Sequence, residues 1–313
     1  MIIESAYRAE GLWRNPHLNT IWASKVRSVD APARDRRRLD TPDGDFLDVD
    51  CLMQGSDKAA ILLHGLEGSA DRTYMRGMTH ALAADGWDVV AMNLRGCSGE
   101  PNLLPRSYHS GATEDLRAVL DAFGNGYDTM AAVGFSLGGN LLLKYLGEEG
   151  SQSRIDAAVA VSVPCDLAGS SNQLALRGNR LYMWNFMRSL RRKVQEKAER
   201  FPDIVSTEGL NDMRTFHEFD DRYTAPLHGF RDAEHYWAAC SSRSFLPEIR
   251  VPTLLLNAVD DPFLSEGCYP VDACHRSQHV TLEMPDTGGH VGFLSGDQTY
   301  TETRGAAFLQ SII

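Results

Sequence analysis

The sequence has 313 residues, 43% of them apolar, and a formal net charge of −11. That length holds one large domain or two small ones with a substantial core. The acidic balance argues against nucleic acid as the main partner, because phosphate binding needs a basic surface. No apolar run approaches ~18 residues, so no transmembrane helix is expected, and peripheral contact with lipid is the most a membrane would receive. Residues 1–20 contain no apolar leader core. Six cysteines, Cys51, Cys97, Cys165, Cys240, Cys268 and Cys274, form no C-x-x-C pair, which points to reduced structural thiols in a cytoplasmic protein.

In chain order, the turn-forming Asp40-Thr41-Pro42-Asp43-Gly44 predicts a hairpin between two leading strands, the second at 46–53. Short apolar runs bounded by turn residues follow at 59–64, 87–94, 129–135, 157–163, 253–258 and 279–284. Helical patterns lie at 73–85, 113–123, 137–148 and 299–312. Strands apolar on both faces and separated by helices predict an α/β fold with a mostly parallel sheet covered on each side.

The alternation lapses from about 166 to 239. There Leu181, Trp184, Met187, Leu190, Val194 and Ala198 recur every three or four residues, as one face of a helix does. Arg188, Arg191, Arg192, Lys193, Lys197 and Arg200 line the other face, which reads as solvated. An insert after the sixth strand would lie over the strand C-termini, where open α/β sheets place ligands. The expectation is one domain over 1–313 with a helical cap at roughly 165–240. Trp184 and Met187 are expected to face the pocket or to pin the cap.

Ser136 sits in Gly134-Phe135-Ser136-Leu137-Gly138, a G-x-S-x-G pattern. A serine on a tight turn between a buried strand and a helix has its hydroxyl lifted clear of the backbone, and flanking side chains would collide with that turn. A serine hydroxyl is a weak nucleophile at neutral pH and needs a base within hydrogen-bond reach. In this setting the partners follow in the order acid, then histidine. Val259-Asp260-Asp261-Pro262 follows one predicted strand, and Asp286-Thr287-Gly288-Gly289-His290 follows the next. His290 is the expected base. Successive residues point in different directions, so only one of the two acids should reach the ring. Asp260, the first after the strand, is the expected acid, with Asp261 beside Pro262 as a turn residue. For a developing oxyanion, the Leu137 amide at a helix start and the Leu66 amide in His64-Gly65-Leu66-Glu67-Gly68 are the expected donors.

At these residues the chain resembles the YheT-like branch of the α/β-hydrolases. The matching segments are Asn15-Pro16-His17-Leu18, HGLEGS at 64–69, LRGCSGEPN at 94–102, YHSGATEDL at 108–116, VGFSLGGN at 133–140, EFDDRYTAPLHGF at 218–230, DDPF at 260–263 and GGHVGFL at 288–294. The resemblance implies an α/β-hydrolase fold, a charge relay at Ser136, Asp260 and His290, and carboxylester hydrolase or phospholipase-like activity. Unlike in the eukaryotic members, no N-terminal membrane anchor is expected in this sequence. Outside the relay, Tyr108, His109 and Glu114 are expected to fix the loop before a helix, and Arg95 and Glu100 to form an ion pair. Cys97 has no evident base beside it and reads as a small buried thiol. Asp220-Asp221 and Asp260-Asp261 lack histidines at ligand spacing, so neither a metal nor a cofactor is expected.

The resulting expectation is a serine hydrolase acting on small or medium-chain acyl esters or lipid-derived esters. Acyl transfer to an acceptor other than water would use the same residues. A binding protein on the same scaffold would lack a relay member or have a blocked turn.

Overall fold

In the computed structural model, which describes residues 1–296 and 298–312, the apolar runs form one sheet. Its strands are β1 (Ile2–Ile3), β2 (Asp35–Asp40), β3 (Phe46–Leu52), β4 (Lys58–Leu63), β5 (Asp88–Asn93), β6 (Thr129–Phe135), β7 (Ala157–Val161), β8 (Thr253–Leu256) and β9 (Val280–Glu283). Their spatial order is β1-β9-β8-β7-β6-β4-β5-β3-β2, and every pairing is parallel except those made by β3. The leading hairpin is present, with Thr41 N–H donating to Asp45 O at its turn.

The helices are α1 (Pro16–Ile21), α2 (Thr73–Ala84), α3 (Thr113–Phe123), α4 (Leu137–Glu149), α5 (Leu167–Ala175), α6 (Arg180–Arg200), α7 (Phe216–Phe219), α8 (Ala225–Leu227), α9 (Ala233–Cys240), α10 (Val271–Arg276) and α11 (Tyr300–Ile312). Because side chains alternate along a strand, each strand feeds two cores. Ile61, Leu63, Ala132 and Ala160 pack with Leu116 and Leu120 of α3 and Leu141 and Leu142 of α4. Leu62, Val133 and Val159 pack on the opposite face with Met75 and Met78 of α2 and Leu309 of α11. This two-sided burial explains why β4, β6 and β7 read as continuous apolar runs.

Several local expectations differ from the structure. The stretch 137–146 has the pattern of an amphipathic helix, yet α4 is buried on all sides from Leu137 to Gly147. A Cβ at Gly147 would lie 2.3 Å from Phe245 O, so the segment after α9 closes directly over this helix. Arg95 does not pair with Glu100. It is buried and bonds Asp43 (2.8 Å), Asp45 (3.0 Å) and Asp115 (2.6 Å), while Glu100 pairs with Arg38. Asp43 and Asp45 come from the turn between β2 and β3 and Asp115 from α3, a meeting that spacing alone does not show.

Helices α5 to α9 lie between β7 and β8, and several of them share an apolar cluster that includes Leu174, Met187, Leu190, Val194, Phe219 and Phe263. Part of the basic face of α6 is docked on other segments, while Arg188 and Arg192 stay exposed. Lys197 and Arg200 donate to Asn102 O (2.9 and 2.7 Å), and Arg191 donates to Leu210 O (3.2 Å). Backbone carbonyls left over from loops accept these cations, so their charge is used tertiarily. Trp184 neither pins the insert nor enters it: it is 57% exposed. Among the described residues no helix is long and apolar enough to cross a membrane.

Candidate active site

Ser136 stands between β6 and α4 with φ +53° and ψ −119°. For a non-glycine residue this backbone costs about 1–3 kcal/mol and must be held by its surroundings. Its N–H donates to Val161 O at 2.8 Å, tying the turn to β7. The glycines around it are steric necessities. A Cβ at Gly134 would lie 2.6 Å from Gly138 O, and one at Gly138 2.6 Å from both Leu63 O and His64 O. Residues 134–138 are thus pressed against the end of β4, which carries the neighbouring loop.

His290 reaches the serine from the loop after β9. Its Nε2 lies 2.9 Å from Ser136 Oγ, and its Nδ1 lies 2.9 Å from Asp261 Oδ2 and 3.1 Å from Oδ1. A carboxylate only accepts, so Nδ1 carries the hydrogen and Nε2 is left to accept from the serine hydroxyl. The Phe263 ring lies 4.2 Å from the imidazole centroid, and Thr20 Oγ1 accepts from His290 N–H at 2.8 Å. The ring is therefore fixed by a face, an edge and its own backbone.

Asp261, not Asp260, faces the imidazole. β8 ends at Leu256, and a turn in which Asp261 N–H donates to Ala258 O folds the chain back over the strand end. Taking the first acid after the strand, Asp260, therefore misses the residue that meets the ring. Asp261 is buried, and its Oδ1 also accepts from Phe263 N–H at 2.9 Å. Asp260 turns to the loop that carries His290, where its Oδ1 accepts from Gly289 N–H at 2.9 Å. Burial, with the adjacent Asp261 charge, raises the Asp260 pKa above its usual range.

The loop after β4 has its amides allotted. Gly65 N–H donates to Tyr74 Oη, Glu67 N–H to Tyr108 Oη (2.8 Å) and Gly68 N–H to Gly65 O. Leu66 N–H and Leu137 N–H, the latter at the first position of α4, have no protein acceptor among the described residues. Both residues line the same cavity as Ser136 and His290. His64, fully buried, braces the loop: its Nδ1 contacts Gly65 O at 2.7 Å and its Nε2 accepts from Leu94 N–H at 3.1 Å. Burial pushes its pKa down to about 4, so it is a neutral strut.

Sequence reasoning missed the anchoring of this loop to the insert. Glu67 has φ +53°. Its carboxylate accepts from Tyr108 Oη (2.7 Å), from Lys193 Nζ of α6 (2.8 Å) and from Ser189 Oγ of α6. Burial alone would raise the Glu67 pKa, but Lys193 and these hydrogen bonds outweigh it and hold the carboxyl below its usual range. Lys193 Nζ also lies 3.1 Å from Cys97 Sγ. That thiol is pushed up by burial, more than Lys193 pulls it down. No sequence period flags an acid-to-cation contact across 126 residues.

A cavity of about 150 Å³ opens beside Ser136, and its walls are mostly apolar: Leu137, Leu167, Leu174, Phe186, Leu190 and Phe263. The family model described as "alpha/beta hydrolase fold" matches residues 59–297. The chain belongs to the α/β-hydrolase fold family. The hydrolase is 39% identical to YheT of Escherichia coli (strain K12), assigned as an esterase, over 83% of this chain and 78% of that one. It is 31% identical to the human phospholipase ABHD3, over 86% of this chain and 68% of the relative. It is 32% identical to a Saccharomyces cerevisiae (strain ATCC 204508 / S288c) monoacylglycerol lipase, over 77% of this chain and 57% of that one. Among solved structures, the Pyrococcus furiosus esterase Pf2001 superposes with a TM-score of 0.59 at 18% identity, covering 91% of this hydrolase and 98% of that protein, which speaks for the fold alone.

Proposed function

We propose that the protein hydrolyses carboxylic esters through an acyl-Ser136 intermediate. The observation that carries this reading is the unbroken chain Ser136 Oγ–His290 Nε2 (2.9 Å) and His290 Nδ1–Asp261 Oδ2 (2.9 Å), beside two uncommitted amides. In acylation, Ser136 Oγ bonds to the ester carbonyl carbon and its proton passes to His290 Nε2. The carbonyl oxygen takes the negative charge, and the Leu66 and Leu137 amides donate to it. Collapse breaks the bond to the alcohol oxygen, which leaves with the proton from Nε2. Water then repeats the sequence, with His290 again taking and returning a proton, and the acid departs. Asp261 holds the productive tautomer and stabilises the imidazolium.

The apolar cavity suits an acyl chain; of the small, medium-chain or lipid-derived esters considered, relatives named as a phospholipase and a monoacylglycerol lipase support the lipid-derived ones. Stopped-flow hydrolysis of a p-nitrophenyl ester tests the reading. A burst of p-nitrophenol equal to the enzyme concentration is expected whenever deacylation is slower than acylation, and it should vanish in Ser136→Ala. Full turnover by Ser136→Ala would overturn it.

A further inference from the structure

Stretches 11–29 and 167–195, both with exposed residues, contain no aspartate or glutamate; the acid-free stretch 129–147 lies mostly in the buried β6 and α4. The whole sequence has 42 acids and a net charge of −11, so the two exposed stretches run against its composition. The fold places these two on one face. His17 Nδ1 lies 3.2 Å from Tyr182 Oη, and the two rings stack at 5.8 Å.

That face leaves large apolar side chains uncovered. Leu18, Ile21 and Trp22 project from α1 and the turn that continues it, and Leu181 and Trp184 from the first turns of α6. Trp22 is 45% exposed, Trp184 57% and Leu181 78%, while Trp87 in the core is fully buried. Cations surround them. Lys25, Arg177, Arg180 and Arg188 form no ion pair among the described residues. Arg188 lies over the Trp184 ring, 4.8 Å from its centroid. Burial, then Arg72 and Arg188, push Lys25 below its usual range, so cations from both stretches crowd together. Such crowding disfavours the isolated protein, and a negatively charged surface would relieve it.

Tryptophan and long aliphatic side chains fringed by unpaired cations are the chemistry of an anionic bilayer interface. We propose that this face, Leu18, Ile21, Trp22, Leu181 and Trp184 with Lys25, Arg180 and Arg188, docks the protein on an anionic phospholipid bilayer. The surface adjoins the candidate site: Thr20 of α1 accepts from His290 N–H, and Tyr182 packs on Phe263, which packs on His290. The proposal stands on the surface and does not depend on the ester chemistry.

The test uses the full-length Ser136→Ala protein, so that binding is read without turnover. It is mixed with vesicles of phosphatidylcholine alone or with added phosphatidylglycerol. Co-sedimentation and tryptophan emission are measured across ionic strength. Binding to the anionic vesicles with a blue-shifted emission is expected, and it should weaken with salt. Adding Trp22→Ser with Trp184→Ser, or Lys25→Glu with Arg188→Glu, should lower partitioning by roughly tenfold or more. With Ser136 restored, the same substitutions should leave hydrolysis of a short soluble ester unchanged, which also shows that they fold. Absence of binding to anionic vesicles by the folded protein would overturn the proposal, as would equal binding by both double variants. So would a concentration-dependent dimer, seen by light scattering, that the tryptophan substitutions abolish, because a second copy would then be the occupant.

Discussion

Asp261→Asn asks the most of the active-site geometry. Both Asp261 oxygens lie within 3.1 Å of His290 Nδ1, and the side chain is buried. Asparagine keeps the shape but can turn an N–H₂ toward Nδ1. That favours the tautomer with its hydrogen on Nε2, which cannot accept from Ser136. A loss of about 10⁴ in kcat is expected, the scale found for this change in a charge relay, or roughly 5–6 kcal/mol of transition-state stabilisation. Asp260→Asn removes no contact to the ring. Its amide oxygen can still accept from Gly289 N–H, so the effect is bounded by one hydrogen bond, about 1 kcal/mol or less than roughly tenfold. Steady-state kinetics on a p-nitrophenyl ester, with melting curves for both variants, measures the contrast. Equal losses, or a greater loss for Asp260→Asn, would refute the assignment of Asp261.

Lys193→Met leaves the Glu67 carboxylate buried without its cation, which should cost about 3–5 kcal/mol of stability. It should also loosen the Leu66 amide, with kcat falling toward the roughly 10²–10³ loss of an oxyanion donor; a lowered Tm with unchanged kcat would show that the loop does not depend on α6. Phe186→Ala enlarges the cavity and should shift kcat/KM toward longer acyl chains by roughly 10–200-fold across a p-nitrophenyl ester series, whereas a uniform fall would mean that Phe186 only holds the insert together. Burial raises Asp220 to about 6, with Trp237 Nε1 and Thr224 Oγ1 as its donors. Its folded value lies above the unfolded one, so folding takes up a proton and stability falls as pH rises from about 4 to about 6. Asp220→Asn removes that loss, and its stability advantage over wild type, read by urea unfolding, should widen through that window; a constant difference would place Asp220 elsewhere.

The fold class is legible because β4, β6 and β7 are buried on both faces and punctuated by turn residues. Ser136 and His290 stand out because glycines, a strand and a helix must surround such residues. Other features have no local signature. β1 is two residues long, and it is placed beside β9 by parallel pairing of Ile2 with Leu282 and Ile3 with Glu283, contacts made 280 positions apart. The choice between Asp260 and Asp261 turns on the backbone turn after β8, where Asp261 N–H donates to Ala258 O. The basic residues of α6 have the spacing of a solvated face, yet Lys197 and Arg200 meet carbonyls of a loop almost 100 positions earlier. Trp184 has the spacing of a buried stripe but lies at the end of α6 that nothing covers. Periodicity reports which residues share a face, and tertiary contacts decide which face is covered.

The central claim is that Ser136 is an activated nucleophile driven by His290. Labelling with a fluorophosphonate at neutral pH, followed by peptide mass mapping, tests it most directly. One equivalent of label on Ser136 is expected, with the labelling rate collapsing in His290→Ala while the protein stays folded. Label on another residue, or an undiminished rate without His290, would contradict the account.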